Sequence, residues 1–138
     1  MKISFGETIN DSYTNFGYDT KSFIEEVDNG CCTEIIVPIL DYVPVYELNS
    51  FLSNLFSKMR HKCEIVLEGS DIYESMKMLL VGDAAPDELN VMLYGTKDLP
   101  KVGQYSLDII TKAVLGCGLK ILEKDIQNNK MYLRAERE

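Results

Sequence analysis

The sequence predicts one α/β domain over residues 1–138, with a mostly parallel sheet that closes on an antiparallel hairpin. Two short runs, CTEIIVPIL at 32–40 and CEIVL at 63–67, are apolar almost throughout rather than at alternate positions. That pattern is typical of strands covered on both faces in a parallel sheet. A helical pattern separates the two runs, and a chain of this length can enclose a core of its own.

The helical pattern between the two runs is the clearest in the chain. Its apolar residues are spaced i, i+3, i+4, i+7, i+8 and i+11, which places them on one face of a helix. They are Leu48, Phe51, Leu52, Leu55, Phe56 and Met59. A strand, a helix and a strand in this order predict a βαβ unit with a right-handed crossover.

Three further helices are predicted by their end signals. Ser70 and Asp71 are both candidate N-caps of the first, Ser106 caps the last, and Pro86 suits a first helical turn. Gly82 and Gly118 end the first and the last of these helices.

The loop between the last two helices, residues 95–106, is the longest irregular stretch predicted. Long loops in compact domains tend to be functional, so both a functional and a merely connecting role are open. Lys97, Asp98, Lys101 and Tyr105 could line a substrate cleft from this loop, and none is singled out.

The chain ends in two strand-like runs on either side of Asn128 and Asn129. Asparagine tolerates the left-handed backbone of a tight hairpin turn. Met131, Leu133 and Ala135 alternate with polar residues. The pattern predicts an antiparallel hairpin rather than another βα unit.

Composition excludes several classes of protein. The net charge of −8 argues against nucleic-acid binding, which needs clustered basic residues. No apolar stretch approaches the roughly 20 residues that span a bilayer, and the first residues do not resemble a signal peptide. We therefore expect a cytoplasmic protein without a nucleic-acid or membrane partner.

Cysteine and histidine usage gives no sign of a metal site or a hydrolase. The cysteines are Cys31, Cys32, Cys63 and Cys117, and no CxxC pair occurs. We expect buried free thiols and no bound metal. His61 is the sole histidine, so nucleophile–histidine chemistry has little support.

The amino end has the outline of a nucleotide-type cofactor site. A short apolar run breaks at Gly6, and a second, aromatic-rich run stops at Asp19. A glycine after a first strand lets the backbone approach a ligand, and an acid after a second strand can accept ribose hydroxyl protons. Only one glycine is present in the first turn.

Several stretches resemble those of class I S-adenosylmethionine-dependent methyltransferases in the same order. ISFG (3–6) and YTNFGYD (13–19) resemble the first two strands and their ligand-binding ends. The segments 39–71, 93–119 and 119–137 are similar to the later strands, a loop with its helix, and the terminal hairpin. The resemblance implies a Rossmann-like three-layer sandwich whose contracted N-terminal half lacks at least one βα unit.

The resemblance also implies a site for S-adenosylmethionine formed by Gly6, Asp19, Leu40 and Asp41 at the carboxyl ends of the strands. Three of these residues have a structural role as an alternative to ligand binding: Gly6 as a turn, Asp19 as a helix cap and Asp41 as part of an ordinary turn. Tyr42 stands where the family has a histidine, which puts any role of that imidazole in doubt.

Two functions follow from this interpretation. The first is a reduced methyltransferase acting on a small molecule or glycan, with weakened or lost donor binding. The second is a non-catalytic relative that serves as a binding or assembly protein. Because a missing βα unit would expose apolar surface, self-association into a homo-oligomer is expected.

Overall fold

A computed structural model describes the backbone of residues 1–138, with the side chains of all of them except residue 89. Six strands, five α-helices and two short 3₁₀ turns follow one another along the chain. In order they are β1 (Lys2–Ser4), β2 (Thr14–Asn15), α1 (Thr20–Glu26), β3 (Cys32–Val37), 3₁₀ turns at Leu40–Tyr42 and Val45–Glu47, α2 (Leu48–Lys58), β4 (Met59–Ser70), α3 (Ile72–Leu80), α4 (Pro86–Tyr94), α5 (Leu107–Gly116), β5 (Lys120–Gln127) and β6 (Lys130–Glu136).

All six strands form one sheet in the order β2-β1-β3-β4-β6-β5. The first four strands are parallel, whereas β6 is antiparallel to both β4 and β5. The predicted α/β, Rossmann-like class with a C-terminal antiparallel hairpin is confirmed.

One face of the sheet carries the core. Ile3, Ile35, Ile65 and Ala135 lie side by side across four strands and are fully buried. Side chains from α1, α2 and α5 belong to the same buried cluster. Each large apolar side chain removed from water in this way contributes about 1.5–3 kcal/mol to stability.

Helices α1 and α2 both pack at the β1 end of that face. The Phe5 ring, next to β1, contacts Phe23 of α1 at 5.2 Å and Phe51 of α2 at 5.9 Å between ring centroids. The apolar stripe predicted for α2 is buried from Leu48 to Phe56. The stripe's last member, Met59, is buried as well, as the first residue of β4.

The opposite face of the sheet is mostly polar, with Ile36 and Val66 half-buried at its centre, and we call it the open face. Arg134 lies between Glu64 at 3.3 Å and Glu123 at 3.6 Å, and Lys2 pairs with Glu34 at 3.1 Å. Among the residues that the structure describes, the buried apolar side chains of the helices join the core on the other face. The contraction therefore goes further than predicted, since one helix layer is present where a three-layer sandwich has two.

Chain topology explains the single helix layer. The connections from β2 to β3, β3 to β4 and β4 to β5 all step in the same direction across the sheet. Right-handed crossovers in one direction place their helices on one face. The step from β1 to β2 runs the other way, but residues 5–13 make it without a helix in the described backbone.

The predicted local signals mostly hold. Asp71 and Ser106 cap α3 and α5, and α4 starts at Pro86. Asn128 has the left-handed backbone expected in the hairpin turn, with φ of 57°. His61 lies exposed within β4, a strand longer than the five residues that the sequence pattern indicated.

Candidate functional site

The carboxyl ends of β1, β2 and β3 meet at one edge of the sheet, as the parallel arrangement requires. Gly6, just beyond β1, lies against Pro38 and Ile39, which follow β3. Tyr18, beyond β2, contacts Tyr42 edge-to-face at 5.2 Å between centroids. We call this region, formed by the ends of β1, β2 and β3, the donor edge.

Gly6 packs against the protein's own chain. Its φ is +73°, and a Cβ at this position would lie 3.1 Å from Cγ of Pro38. Its N–H donates to the carbonyl of Gly17 at 2.7 Å. Glycine is therefore required both by the left-handed backbone and by the close approach of Pro38.

Asn15 ties the loop after β1 to the end of β2. Its amide donates to Ser4 Oγ at 3.1 Å and to the carbonyls of Gly6 at 3.3 Å and Glu7 at 3.4 Å. Its Oδ1 accepts from the N–H of Gly17 at 2.8 Å. Sequence reasoning missed this residue, although an asparagine two residues before a glycine is a signal for such a turn.

Asp19 is the N-cap of α1. Its carboxylate accepts from the backbone N–H of Ser22 at 3.0 Å and from Ser22 Oγ at 2.7 Å. These hydrogen bonds lower the pKa of the exposed Asp19 carboxyl. Of the two roles considered for Asp19, the cap is the one that these contacts fill.

Leu40 and Asp41 open the 3₁₀ turn after β3. Leu40 is completely buried in the core. The Asp41 carboxylate accepts from Ser70 N at 2.9 Å and from Ser70 Oγ at 2.7 Å. The Asp41 carbonyl accepts from the backbone N–H groups of Val102 at 2.9 Å and Gly103 at 3.0 Å. Asp41 thus joins three segments that are distant in sequence.

Lys101 completes this buried network. Its ammonium lies 3.1 Å from Oδ2 of Asp41, and it donates to Ser70 Oγ at 3.1 Å and to the Met92 carbonyl at 2.9 Å. Its side chain is 15% exposed. Loop 95–106 is therefore fixed to the ends of β3 and β4.

Tyr105 anchors the end of the same loop. Its hydroxyl donates to the carbonyl of Val43, and the side chain is buried. Burial, together with the nearby Asp41 carboxylate, raises the pKa of Tyr105 to about 12. The phenol is a structural hydrogen-bond donor at neutral pH.

A cavity of about 770 Å³ opens beside this network, which we call the cleft. It runs from the turn after β3 along the ends of β4, β5 and β6 on the open face. Its walls are formed by Pro38, Asp41, Tyr42, Glu68, Gly69, Ser70, Lys101, Glu123, Asp125, Gln127, Asn128, Asn129, Lys130, Met131 and Tyr132. Of the four predicted site residues, Asp41 lines the cleft.

The cleft is acidic and rich in hydrogen-bond acceptors. Four of its lining residues are Asp or Glu and two are Lys, and one of these lysines, Lys101, is held by Asp41. Alternate positions of β5 hold Glu123, Asp125 and Gln127. Their partners in β6 are Arg134, Tyr132 and Lys130, respectively. That alternation was the available sequence signal for the cleft, but the strand's partner and register were needed to interpret it.

Comparisons with known proteins agree with the observed topology. No protein-family model matches the chain, and no curated protein matches it by sequence. A SAM-dependent methyltransferase from Archaeoglobus fulgidus superposes with a TM-score of 0.61 at 10% identity, over 96% of this chain and 75% of that one. The fold is that of the SAM-dependent methyltransferases.

Two further structures show how much of such proteins the chain represents. An O-methyltransferase family protein from Burkholderia thailandensis has a TM-score of 0.62 and 12% identity, over 91% of this chain and 36% of its own. The magnesium protoporphyrin IX methyltransferase of Synechocystis, with bound SAH, has a TM-score of 0.53 and 16% identity, over 91% and 51%. The chain thus spans about a third to a half of these two proteins.

Two of the residues that the resemblance assigned to S-adenosylmethionine, Gly6 and Asp19, make contacts within the chain. Pro38 packs against Gly6, the Asn15 amide donates to the carbonyl of Gly6, and Ser22 donates to the Asp19 carboxylate. These contacts give Gly6 and Asp19 structural roles in the loop after β1 and in the cap of α1.

Metal-ligating clusters and membrane-spanning helices are both absent from the part of the chain that the structure describes. No group of three or more metal-ligating side chains occurs there. None of the helices described has the length and apolar character needed to cross a bilayer.

Proposed function

We propose that the chain is a non-catalytic methyltransferase-fold protein that binds a small polar molecule or glycan in the cleft. The observation that carries this proposal is the contrast within one sheet edge. At the donor edge, hydrogen bonds within the chain engage the Gly6 carbonyl and the Asp19 carboxylate. Beside Asp41, in contrast, a cavity of about 770 Å³ is open. Ligands of open α/β sheets bind outside the carboxyl ends of the strands at the switch in strand order, which here lies between β1 and β3. The cleft begins beside this point, at the turn after β3.

The side chains of the cleft favour a hydroxyl-bearing ligand. Glu68 offers carboxylate oxygens that accept from hydroxyl groups. Asp125 and Asn129 also line the cleft and have lone pairs left, although Asp125 accepts from the N–H of Ile126 at 2.8 Å and Asn129 donates to Ser75 Oγ at 3.3 Å. Tyr42 and Tyr132 add aromatic surface. The excess of carboxylates disfavours phosphorylated ligands, because like charges repel at short range. Neutral or cationic polyols and saccharides are therefore the class proposed.

The donor part of the proposal is tested by titration with S-adenosylmethionine and S-adenosylhomocysteine. A ligand that binds only the folded state at 100 times its Kd stabilises it by about 2.7 kcal/mol. We expect no heat of binding and no rise in Tm at millimolar ligand. Saturable binding would overturn the non-catalytic assignment, and its loss in Asp19→Ala but not in Ser22→Ala would support a ribose contact.

The cleft part is tested by amide chemical shifts during titration with neutral saccharides, namely glucose, galactose, N-acetylglucosamine and maltose. We expect shifts that cluster on residues 68–70 and 123–132, with weaker binding in Tyr132→Ala. Tyr46→Ala is the matched control, because Tyr46 is 83% exposed and lies outside the cleft. Absence of shifts with all four sugars, or shifts scattered elsewhere, would count against the ligand class.

Methyl transfer to a small molecule or glycan is the second candidate. It is supported by the fold and by the position of the cleft beside the turn after β3. Methyl transfer needs proximity and orientation more than a catalytic dyad. The donor titration separates the two candidates, because the transferase requires S-adenosylmethionine to bind.

A further inference from the structure

Helix α3 presents an apolar face to the surface. Tyr73, Met76 and Leu80 recur at i, i+3 and i+7 and are 65%, 45% and 83% exposed. Val81, the next residue, is 68% exposed. In contrast to the stripe of α2, this stripe points away from the core, and only Ser75 of α3 is buried.

Helix α4 packs against α3 and extends the apolar area. Its Val91 and Tyr94 are 54% and 66% exposed. The two tyrosines alone offer about 100–150 Å² each, given roughly 150–250 Å² for a whole aromatic side chain. The exposed apolar residues Tyr73, Met76, Leu80 and Val81 at α3 are joined by Val91 and Tyr94 of α4, the helix that packs against it. We call this set the helical patch.

The charges of α3 fit a second copy of the same helix. Glu74 and Lys77 are the charged residues of α3, and they form an ion pair at 3.0 Å. Helix α3 is thus neutral in a chain of net charge −8, whereas the charged residues of α4, Asp87 and Glu88, are both acidic. Two copies therefore repel least where α3 meets α3, away from the acidic first turn of α4.

We propose that the helical patch is a homodimer interface in which two α3 helices cross antiparallel about a two-fold axis near Met76. A two-fold axis makes a contact isologous, so each residue meets the same set on the partner. Antiparallel packing places Glu74 of one copy opposite Lys77 of the other, which an i, i+3 pair of opposite charges permits. Burial of Leu80 and Tyr73 against the partner supplies the hydrophobic gain.

This inference is independent of the ligand proposed for the cleft. From the sequence, self-association was expected to cover the apolar surface that a missing βα unit leaves exposed, and the structure gives a different reason. The sheet face without helices carries charges and ion pairs around the half-buried Ile36 and Val66, so the more exposed apolar surface is on the α3–α4 pair instead.

The first experiment is sedimentation of the full chain from low-micromolar to submillimolar concentration. We expect a reversible dimer that Leu80→Glu converts to a monomer. Leu115→Glu is the matched control, because Leu115 is 55% exposed on α5, and it should leave the dimer intact. A monomer at every concentration, or equal loss of dimer in both variants, would overturn the proposal.

The second experiment tests the antiparallel register. Glu74→Lys and Lys77→Glu should each weaken the dimer at least tenfold, because each places like charges opposite one another. Mixing the two single variants should restore a heterodimer, since each then meets opposite charges. Circular dichroism and thermal unfolding check that both variants remain folded. Failure of the mixture to associate, when the wild-type chain dimerises, would exclude this register.

Discussion

The donor edge and the cleft lie at the same carboxyl edge of the sheet, but hydrogen bonds within the chain have different consequences at the two places. At the donor edge, the Asn15 amide donates hydrogen bonds to the backbone carbonyls of Gly6 and Glu7 in loop 5–13. At the cleft, the buried Asp41–Ser70–Lys101 network fixes the strand ends and leaves the open face beside them accessible. The comparison shows that strand order alone does not make a ligand site. The loops that connect the strands decide whether space for a ligand remains at the carboxyl edge.

The largest expected effect is at the base of the cleft. Asp41→Ala removes the carboxylate that pairs with Lys101 and bonds to Ser70. Breaking a buried pair from one side costs about 3–5 kcal/mol, because the remaining charge stays buried without a partner. Urea unfolding followed by circular dichroism measures the loss.

Lys2→Ala is the control for Asp41→Ala. It breaks the Lys2–Glu34 pair on the open face, where the Lys2 side chain is 48% exposed. Exposed pairs contribute about 0–1 kcal/mol. Equal losses in the two variants would show that the Asp41 network is not the rigid base of the cleft.

The next effect probes how tightly the donor edge is closed. Gly6→Ala forces alanine into a backbone with φ of +73° and places its Cβ 3.1 Å from Pro38. Left-handed backbone costs alanine roughly 1–2 kcal/mol, and displacement of Pro38 adds to this. We expect a total loss of about 2–3 kcal/mol in the free energy of unfolding, measured in urea.

Gly82→Ala separates the two causes in Gly6→Ala. Gly82 has φ of +78°, but no atom lies within 4 Å of the position that a Cβ would take there, so it reports backbone strain alone. A loss in Gly6→Ala no larger than that in Gly82→Ala would mean that the space above Gly6 is open to a ligand.

A smaller effect is expected at Asn15. Asn15→Ala removes the donor to Ser4, Gly6 and Glu7. A net loss of about 1–2 kcal/mol follows from hydrogen bonds of ordinary strength. The amide of Gly17, which donates to Asn15, should also exchange faster with solvent.

Asn54→Ala is the comparison for Asn15. The Asn54 amide bonds to the Ser50 carbonyl within α2 at an exposed position, so its removal should be nearly neutral. Unchanged Gly17 exchange in Asn15→Ala would contradict the closure by Asn15.

The smallest effect is the pH dependence at Asp19. Hydrogen bonds from Ser22 lower the pKa of this carboxyl in the folded state. A lowered folded pKa means that the carboxylate stabilises the protein above the unfolded pKa of about 3.9, and that this stabilisation is lost as pH falls through the folded pKa. The Tm difference between wild type and Asp19→Ala should therefore shrink on acidification below about pH 4. A difference independent of pH would show that the cap is not ionic.

Local signals predicted the elements because each depends on residues close in sequence. The periodicity of Leu48 to Phe56 fixes the buried face of α2, and the caps at Asp71 and Ser106 bond within one turn. Asn128 adopts the left-handed backbone that the hairpin turn needs. The family resemblance, in contrast, implied the four candidates at the strand ends, and it could not show whether their polar groups were free.

The sequence by itself determined the class of fold and the helix ends, and it predicted that residues 6, 19 and 41 follow the carboxyl ends of strands. Only the tertiary structure decided the order of the strands in the sheet, the contact of Pro38 with Gly6, the pairing of Lys101 with Asp41, and the joining of the helices into one core on one face. These features arise from contacts between segments distant along the chain, where no periodic pattern relates the partners. Their pairing is set by sheet register and by the short connection between β1 and β2, which only the folded chain reveals.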